Sequence, residues 1–196
     1  MTVVRYIFIN GYPGVGKLTI AKELQRLIPG SQVLDYNTML DMIPSTMPVD
    51  SPEYNAKRSA VRGDFLDAAA QLDYTRRLTW IFTDVLYADE AGGKGAREYQ
   101  TAAHARGVQF WPVVLECDED MNEARLEMVE KFAEQREDVE GLRKIRGEKK
   151  LHSFGEGGDE ELKMDVTRMM PDEAAWKIFE HMREGFVWGT AAASSS

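Results

Sequence analysis

Nine residues near the N-terminus have the types and spacing of a phosphate cradle. Gly11, Tyr12, Pro13, Gly14, Val15, Gly16, Lys17, Leu18 and Thr19 read G-x-x-x-x-G-K-x-T. Glycines let the backbone turn sharply and aim several N–H groups at one anion. A helix opening at the lysine adds the positive end of its dipole. Lys17 can reach the β- and γ-phosphates of a nucleoside triphosphate and balance charge that builds up during transfer. The general form of the motif places Ser or Thr directly after the lysine, where its hydroxyl binds Mg²⁺. Here Leu18 holds that place and cannot do so; the hydroxyl follows on Thr19.

Two carboxylates and a set of cations could complete the chemistry. Asp35 and Asp84 each follow a short apolar run. Asp84 has the apolar-run-plus-acid setting that orders Mg²⁺-bound water, and Asp35 is the candidate to orient an acceptor hydroxyl or take its proton. Asn37 either caps the next helix or touches the acceptor. Arg58 and Arg62 are four apart, so they share one helix face. Arg136, Arg143, Lys144, Arg146, Lys149 and Lys150 lie in a densely charged segment. A lid built there would bring one or two cations, with Arg136 and Arg143 as candidates, to the γ-phosphate and exclude water. The 155–158 segment, Gly-Glu-Gly-Gly, is a candidate return hinge.

The elements that must position these groups are legible in the apolar pattern. Residues 3–9 read as a strand buried on both faces. Ile20, Ala21, Leu24, Leu27 and Ile28 repeat at helical spacing, and Pro29-Gly30 stops that helix. Further strands are expected at 32–35, 78–82, 109–116 and 162–166. Helices are expected from 37 to a stop at Pro44, and over 53–73, 96–106 and 121–132. In the 53–73 helix Val61, Phe65, Ala69 and Leu72 form the apolar stripe. Pro171 opens a last helix that buries Ala175, Ile178, Phe179 and Met182. Trp80 and Trp111 fall within strands and read as core.

Alternating strands and helices imply an α/β fold: a parallel sheet of about five strands, covered by helices on both faces. Such sheets bind ligands beyond the carboxyl ends of their strands, where the cradle, Asp35 and Asp84 all fall. The expected organisation is one domain over residues 1–188. It has an acceptor-binding helical region at about 37–75 and a charged lid at about 130–158. Residues 189–196 have too little to bury and are expected to be disordered.

Composition narrows the function classes. The net charge is −9 over 196 residues, which repels a nucleic-acid backbone. No apolar run approaches the ~20 residues of a membrane span. The single cysteine, Cys117, forms no internal disulfide framework and fits a reducing, cytoplasmic setting. His104, His152 and His181 are scattered and show no zinc-ligand spacing.

The G-x-P-G-x-G-K-x-T form resembles the loop of adenylate kinases and related small P-loop kinases. With the strand-end acids, Arg125 and the charged segment, the whole chain resembles the adenylate kinase, shikimate kinase and chloramphenicol phosphotransferase group. It also resembles AAA-type ATP-binding proteins. The resemblance implies the P-loop NTPase three-layer sandwich, with ATP and Mg²⁺ bound. It implies that Thr19 contacts the α-phosphate and that Mg²⁺ is held largely through water. It further implies that Arg125 stacks on the base and that Arg58 and Arg62 clamp the acceptor. Two departures matter. Asp84 is followed by Val-Leu-Tyr where nucleoside monophosphate kinases carry Gly-aromatic-Pro-Arg. The Gly-Gly-Gly signature of shikimate kinase is only echoed by Gly92, Gly93, Lys94 and Gly95.

The expected function is transfer of the γ-phosphate of ATP to a small-molecule hydroxyl or phosphate, by a monomer or homodimer. The alternative is a non-catalytic or regulatory ATP-binding protein. A switch GTPase is excluded because no Asn-Lys-x-Asp guanine-reading motif occurs.

Overall fold

β1 (Arg5–Gly11) is the middle strand of the sheet, and its sequence Tyr6-Ile7-Phe8-Ile9 explains why. Side chains alternate across a strand, so apolar residues at every position require cover on both faces. Tyr6 and Phe8 enter one core, and Ile7 and Ile9 the other. The structure, a computed structural model, describes residues 4–48, 51–72, 74–130, 138–155 and 161–192.

The other strands are β2 (Ser31–Leu34), β3 (Thr79–Asp84), β4 (Gln109–Glu116) and β5 (Leu162–Asp165). They form one sheet in the order β2-β3-β1-β4-β5, with every neighbouring pair parallel. The helices are α1 (Lys17–Leu27), α2 (Tyr36–Leu40), α3 (Pro52–Gln71), α4 (Glu90–Arg106), α5 (Glu119–Glu130), α6 (Val139–Glu148) and α7 (Pro171–Ala192). α1 and α7 cover the Ile7/Ile9 face, while α3 and α4 cover the Tyr6/Phe8 face. The architecture is the expected α/β three-layer sandwich. Trp111 is buried and Trp80 half-buried, both in the sheet.

Several boundaries differ from expectation for physical reasons. β3 runs on to Asp84 because that residue pairs in register with Asn10 of β1. α4 starts six residues earlier than 96, because Asp89 caps it at the Gly92 N–H and the glycines permit close packing. A Cβ on Gly92 would lie 2.0 Å from the Tyr87 carbonyl oxygen, and one on Gly95 2.8 Å from Arg62 Nη1. The α3 stripe also shifts. Leu72 ends the helix 44% exposed, whereas Tyr54, Leu66 and the charged Arg62 are buried. At the C-terminus α7 reaches Ala192, so 189–192 is helical where disorder was expected. Alanine favours continuation of a helix already formed. Residues 193–196 lie outside the described residues.

Gly92→Ala should lower stability by about 1–3 kcal/mol, because backbone atoms cannot move aside as a side-chain tip can. Gly93→Ala meets only side-chain atoms at ordinary contact distance, the flexible end of Arg97 at 3.5 Å and the His152 ring at 3.9 Å, and should be nearly neutral. Urea denaturation of the two variants checks this.

Candidate functional site

The cradle lies where β1 hands over to α1. Gly14 (φ 77°) and Gly16 (φ 104°) adopt the left-handed backbone that side chains resist, which turns the chain tightly enough to surround an anion. Gly16 is the N-cap of α1 and makes no side-chain cap hydrogen bond, and no acid lies in the first turn. By contrast Asp35, Ser51, Asp89 and Asp138 cap α2, α3, α4 and α6. The first N–H groups of α1 are thus left to an external acceptor with the dipole behind them. Lys17 folds back over the loop, and its Nζ donates to the carbonyls of Gly11 (2.8 Å) and Tyr12 (2.9 Å). Thr19 is exposed on the first turn of α1, and Leu18 is half-buried.

Three residues expected in two separate roles meet in one buried cluster. Asp84, fully buried, accepts from Arg58 Nη2 (2.6 Å), Arg62 Nε (3.3 Å), the Tyr99 hydroxyl (3.0 Å) and the Val85 N–H (2.7 Å). Arg62 also reaches Glu98 at 2.6 Å, and Arg58 the Val85 carbonyl at 2.7 Å. The expectation that Asp84 orders Mg²⁺-bound water therefore gives way to a structural one: its carboxylate is committed to two guanidinium groups and a phenol. Burial alone would raise the Asp84 carboxyl, but Arg58 and Arg62, with hydrogen bonds from Arg58 and Val85, hold it below its ordinary value. Burial, and then Asp84 itself, push the Tyr99 hydroxyl well above its own. Arg58 and Arg62 do not extend as two unattached clamps; they line a cleft while held from beneath.

That cleft encloses about 720 Å³ between α3, α4 and α6, with Tyr54, Arg58, Tyr87, Lys94 and Lys144 on its walls. Asp35 sits half-buried at the end of β2. It accepts from the Thr83 hydroxyl at 2.6 Å and from the Asn37 N–H at 3.2 Å. Asp35 is thus the cap of α2, and Asn37, exposed in its first turn, is not.

The remaining expected cations separate. Arg125 braces the cradle: Nη1 donates to the Val15 carbonyl (3.1 Å) and Nη2 to that of Val166 (2.9 Å). Arg143 does not reach the cradle. It is largely exposed, and its fork is taken by Glu123 at 2.7 and 2.6 Å. Arg136 lies outside the described residues, as do 131–135, 137 and 156–160 of the expected lid and hinge. One turn beyond Arg143 the chain delivers a cation that was not singled out. The Arg146 guanidinium stands 4.8 Å from the centre of the Tyr12 ring, and Tyr12 donates its hydroxyl to the Lys149 carbonyl at 2.7 Å. Cation–aromatic stacking of this kind joins α6 to the cradle.

Two buried amides were also missed. Asn10 fastens the end of β1 to the segments after β3 and α6, donating to the Leu86 (2.9 Å) and His152 (3.1 Å) carbonyls. Asn122 donates to the Pro13 carbonyl at 2.7 Å. An asparagine directly before the first cradle glycine was the available signal for Asn10. Asn122 carried none.

The AAA domain family profile matches residues 7–143, from the middle of β1 into α6. The chain belongs to the AAA domain family. No curated protein matches it. Among solved structures it is similar to a gluconokinase from Sinorhizobium meliloti (13% identity, 96% of this chain and 99% of that one, TM-score 0.64). It is also similar to the Mycobacterium tuberculosis APS kinase in complex with AMPPNP and APS (16%, 93% and 99%, TM-score 0.60). A third is the Acinetobacter baumannii shikimate kinase in complex with shikimate (13%, 94% and 96%, TM-score 0.57). At these identities the likeness shows the fold, that of a small P-loop kinase.

This AAA domain offers a nucleotide more than it offers a free metal ion. The uncapped α1 and the glycine cradle suit a phosphate chain. No group of three or more His, Cys, Asp or Glu that could hold a metal occurs among the described residues. A divalent cation would fit the cradle as a companion of bound phosphates, with its water retained. No helix among the described residues is long and apolar enough to cross a membrane.

Asp84 makes a pH prediction. Its lowered carboxyl contributes stability that is present above the ordinary carboxylate value of about 4 and is lost as pH falls through its folded value. Asp84→Asn should cost about 3–5 kcal/mol near neutral pH by removing the buried anion that Arg58 and Arg62 share. It should also flatten the fall in stability below pH ~4. Denaturant midpoints between pH 3 and 7 measure both effects.

Proposed function

We propose that this AAA domain transfers the γ-phosphate of ATP to a hydroxyl or phosphate of a small molecule held in the cleft between α3, α4 and α6. One observation carries the reading. A cradle with an uncapped helix N-terminus and a lysine lies beside a separate 720 Å³ cleft, both along the carboxyl edge of the sheet. Two adjoining sites are what a two-substrate transfer needs, and the protein then acts mainly by positioning and charge neutralisation.

In this reading the backbone of Gly11–Lys17 holds the phosphate chain, and Thr19 meets the α-phosphate. Lys17 leaves the Gly11 and Tyr12 carbonyls to neutralise the β- and γ-phosphates. Mg²⁺ bound together with ATP would lower the negative charge on the phosphate oxygens. Asp35, held by the Thr83 hydroxyl and the Asn37 N–H, orients the acceptor hydroxyl and receives its proton. Arg58 and Arg62, braced by Asp84 and Glu98, present a fixed cationic wall to the acceptor. Arg125 stands at the base side of the cradle, and Arg146 takes the position first assigned to Arg143. The acceptor is a small molecule, since a net charge of −9 disfavours nucleic-acid polymers. We place the reaction in the cytoplasm, with a monomer or homodimer as the working unit.

A second reading, a regulatory ATP-binding domain without transfer, draws on two features: Asp84 is committed to arginines, and Leu18 offers no metal ligand. ADP release from ATP and Mg²⁺, screened against nucleoside monophosphates and hydroxylated metabolites and antibiotics, separates the two. Stimulation by one acceptor is expected. Calorimetric ATP binding with no stimulation by any compound favours regulation.

Lys17→Ala should reduce acceptor-dependent turnover by about 100-fold or more while circular dichroism shows an intact fold. Full activity in that variant removes the mechanism. Asp35→Asn should lower kcat by about 100-fold with ATP affinity nearly unchanged. An equal loss of ATP affinity would move Asp35 to the nucleotide side.

A further inference from the structure

The Asn122 carboxamide is fully buried in the first turn of α5 and is used at both ends. Its Nδ2 donates to the Pro13 carbonyl at 2.7 Å, and its Oδ1 accepts from Arg146 Nη1 at 2.9 Å. The orientation is settled by its partners, since a carbonyl only accepts and a guanidinium only donates. Arg146 in turn donates to the Cys117 carbonyl at 3.1 Å and lies over the Tyr12 ring. Gly14 packs on the same side chain: a Cβ there would lie 3.1 Å from Asn122 Nδ2. Three consecutive cradle residues, Tyr12, Pro13 and Gly14, thus bear on Asn122 or on the arginine it holds.

We infer that Asn122 is a positioning residue that couples α6 to the phosphate cradle. Only a group that donates on one side and accepts on the other fits between a carbonyl and a guanidinium. Serine is too short to reach both, aspartate cannot donate to Pro13, and an apolar residue leaves both partners unsatisfied in the interior. When Arg146 docks, it draws on Oδ1 and holds the amide so that Nδ2 fixes the Pro13 carbonyl outward. The N–H groups on the other side of the loop are thereby aimed inward. Release of α6 removes one restraint on the amide and loosens the cradle. The coupling is reciprocal, so an anion that orders the cradle also favours docked α6. The relay itself stands without nucleotide; its consequence for phosphate binding rests on the phosphotransfer reading above.

Amide hydrogen exchange on the full chain tests it, first without nucleotide and with rates referred to the amides of β4. Arg146→Ala, which does not touch Pro13, should speed exchange of residues 12–16 by about fivefold or more. Asn122→Asp keeps an acceptor for Arg146 and loses the donor to Pro13. It should speed exchange of 12–16 alike while leaving residues 139–148 as in the wild type. Asn122→Ala should release both segments. Wild-type cradle exchange in Arg146→Ala, or a rise spread uniformly through the sheet in every variant, overturns the coupling. In the second arm, saturating ATP should protect 12–16 and 139–148 together in the wild type and only 12–16 in Asn122→Asp. Protection of both segments in Asn122→Asp overturns the relay. Absence of any ATP effect in the wild type counts against the nucleotide reading, and the first arm still decides the coupling.

Discussion

A loop that turns its N–H groups inward around a phosphate must turn its carbonyls outward, and buried carbonyls need donors. Much of the surrounding structure answers that constraint. Gly11 and Tyr12 are met by Lys17 of α1, Pro13 by Asn122 and Val15 by Arg125. Asn122 and Arg125 are three apart on α5, so one helix face supplies two of the donors. The cradle is therefore shaped from outside as much as by its own glycines. The helices that shape it, α5 and α6, are the ones that carry the remaining nearby cations.

A second constraint governs the cleft between α3, α4 and α6. Arginines fit to face an anion are long and costly to order, and a wall of them needs a counter-charge beneath. Asp84 provides it from the end of β3, with Tyr99 and Glu98 completing the set. Gly95 leaves the space through which Arg62 passes. A buried cluster of this type is weak evidence for net stability, because desolvation offsets much of its attraction. Its value is geometric: it holds Arg58 and Arg62 at one side of the cleft before any ligand enters.

The fold was readable because burial on both faces leaves near-continuous apolar runs, and a parallel sheet requires helices between them. Strand β4 falls at 109–116 as expected, and β1, β2, β3 and β5 lie within two residues of expectation at each end. The glycine-rich start of α4 was not readable. Glycine argues against helix in an isolated chain, and only the Tyr87 backbone and the Arg62 side chain reveal why it is there. Leu72 reads as core by period, yet it ends α3 in solvent, since a period does not say where a helix leaves its sheet.

The sequence by itself determined the cradle, the strand–helix order and the set of charged groups at the carboxyl edge. These depend on local rules: turn geometry, period and the fixed place of strand ends. Tertiary structure alone decided the pairings. It assigned Asp84 to two arginines, gave Arg143 to Glu123, and brought Arg146 through Asn122 to Pro13. Those partners lie 20 to 109 residues apart in the chain. A charged residue on a helix carries no mark of which distant group it will meet; only packing of the layers brings one of several equivalent cations within hydrogen-bond reach.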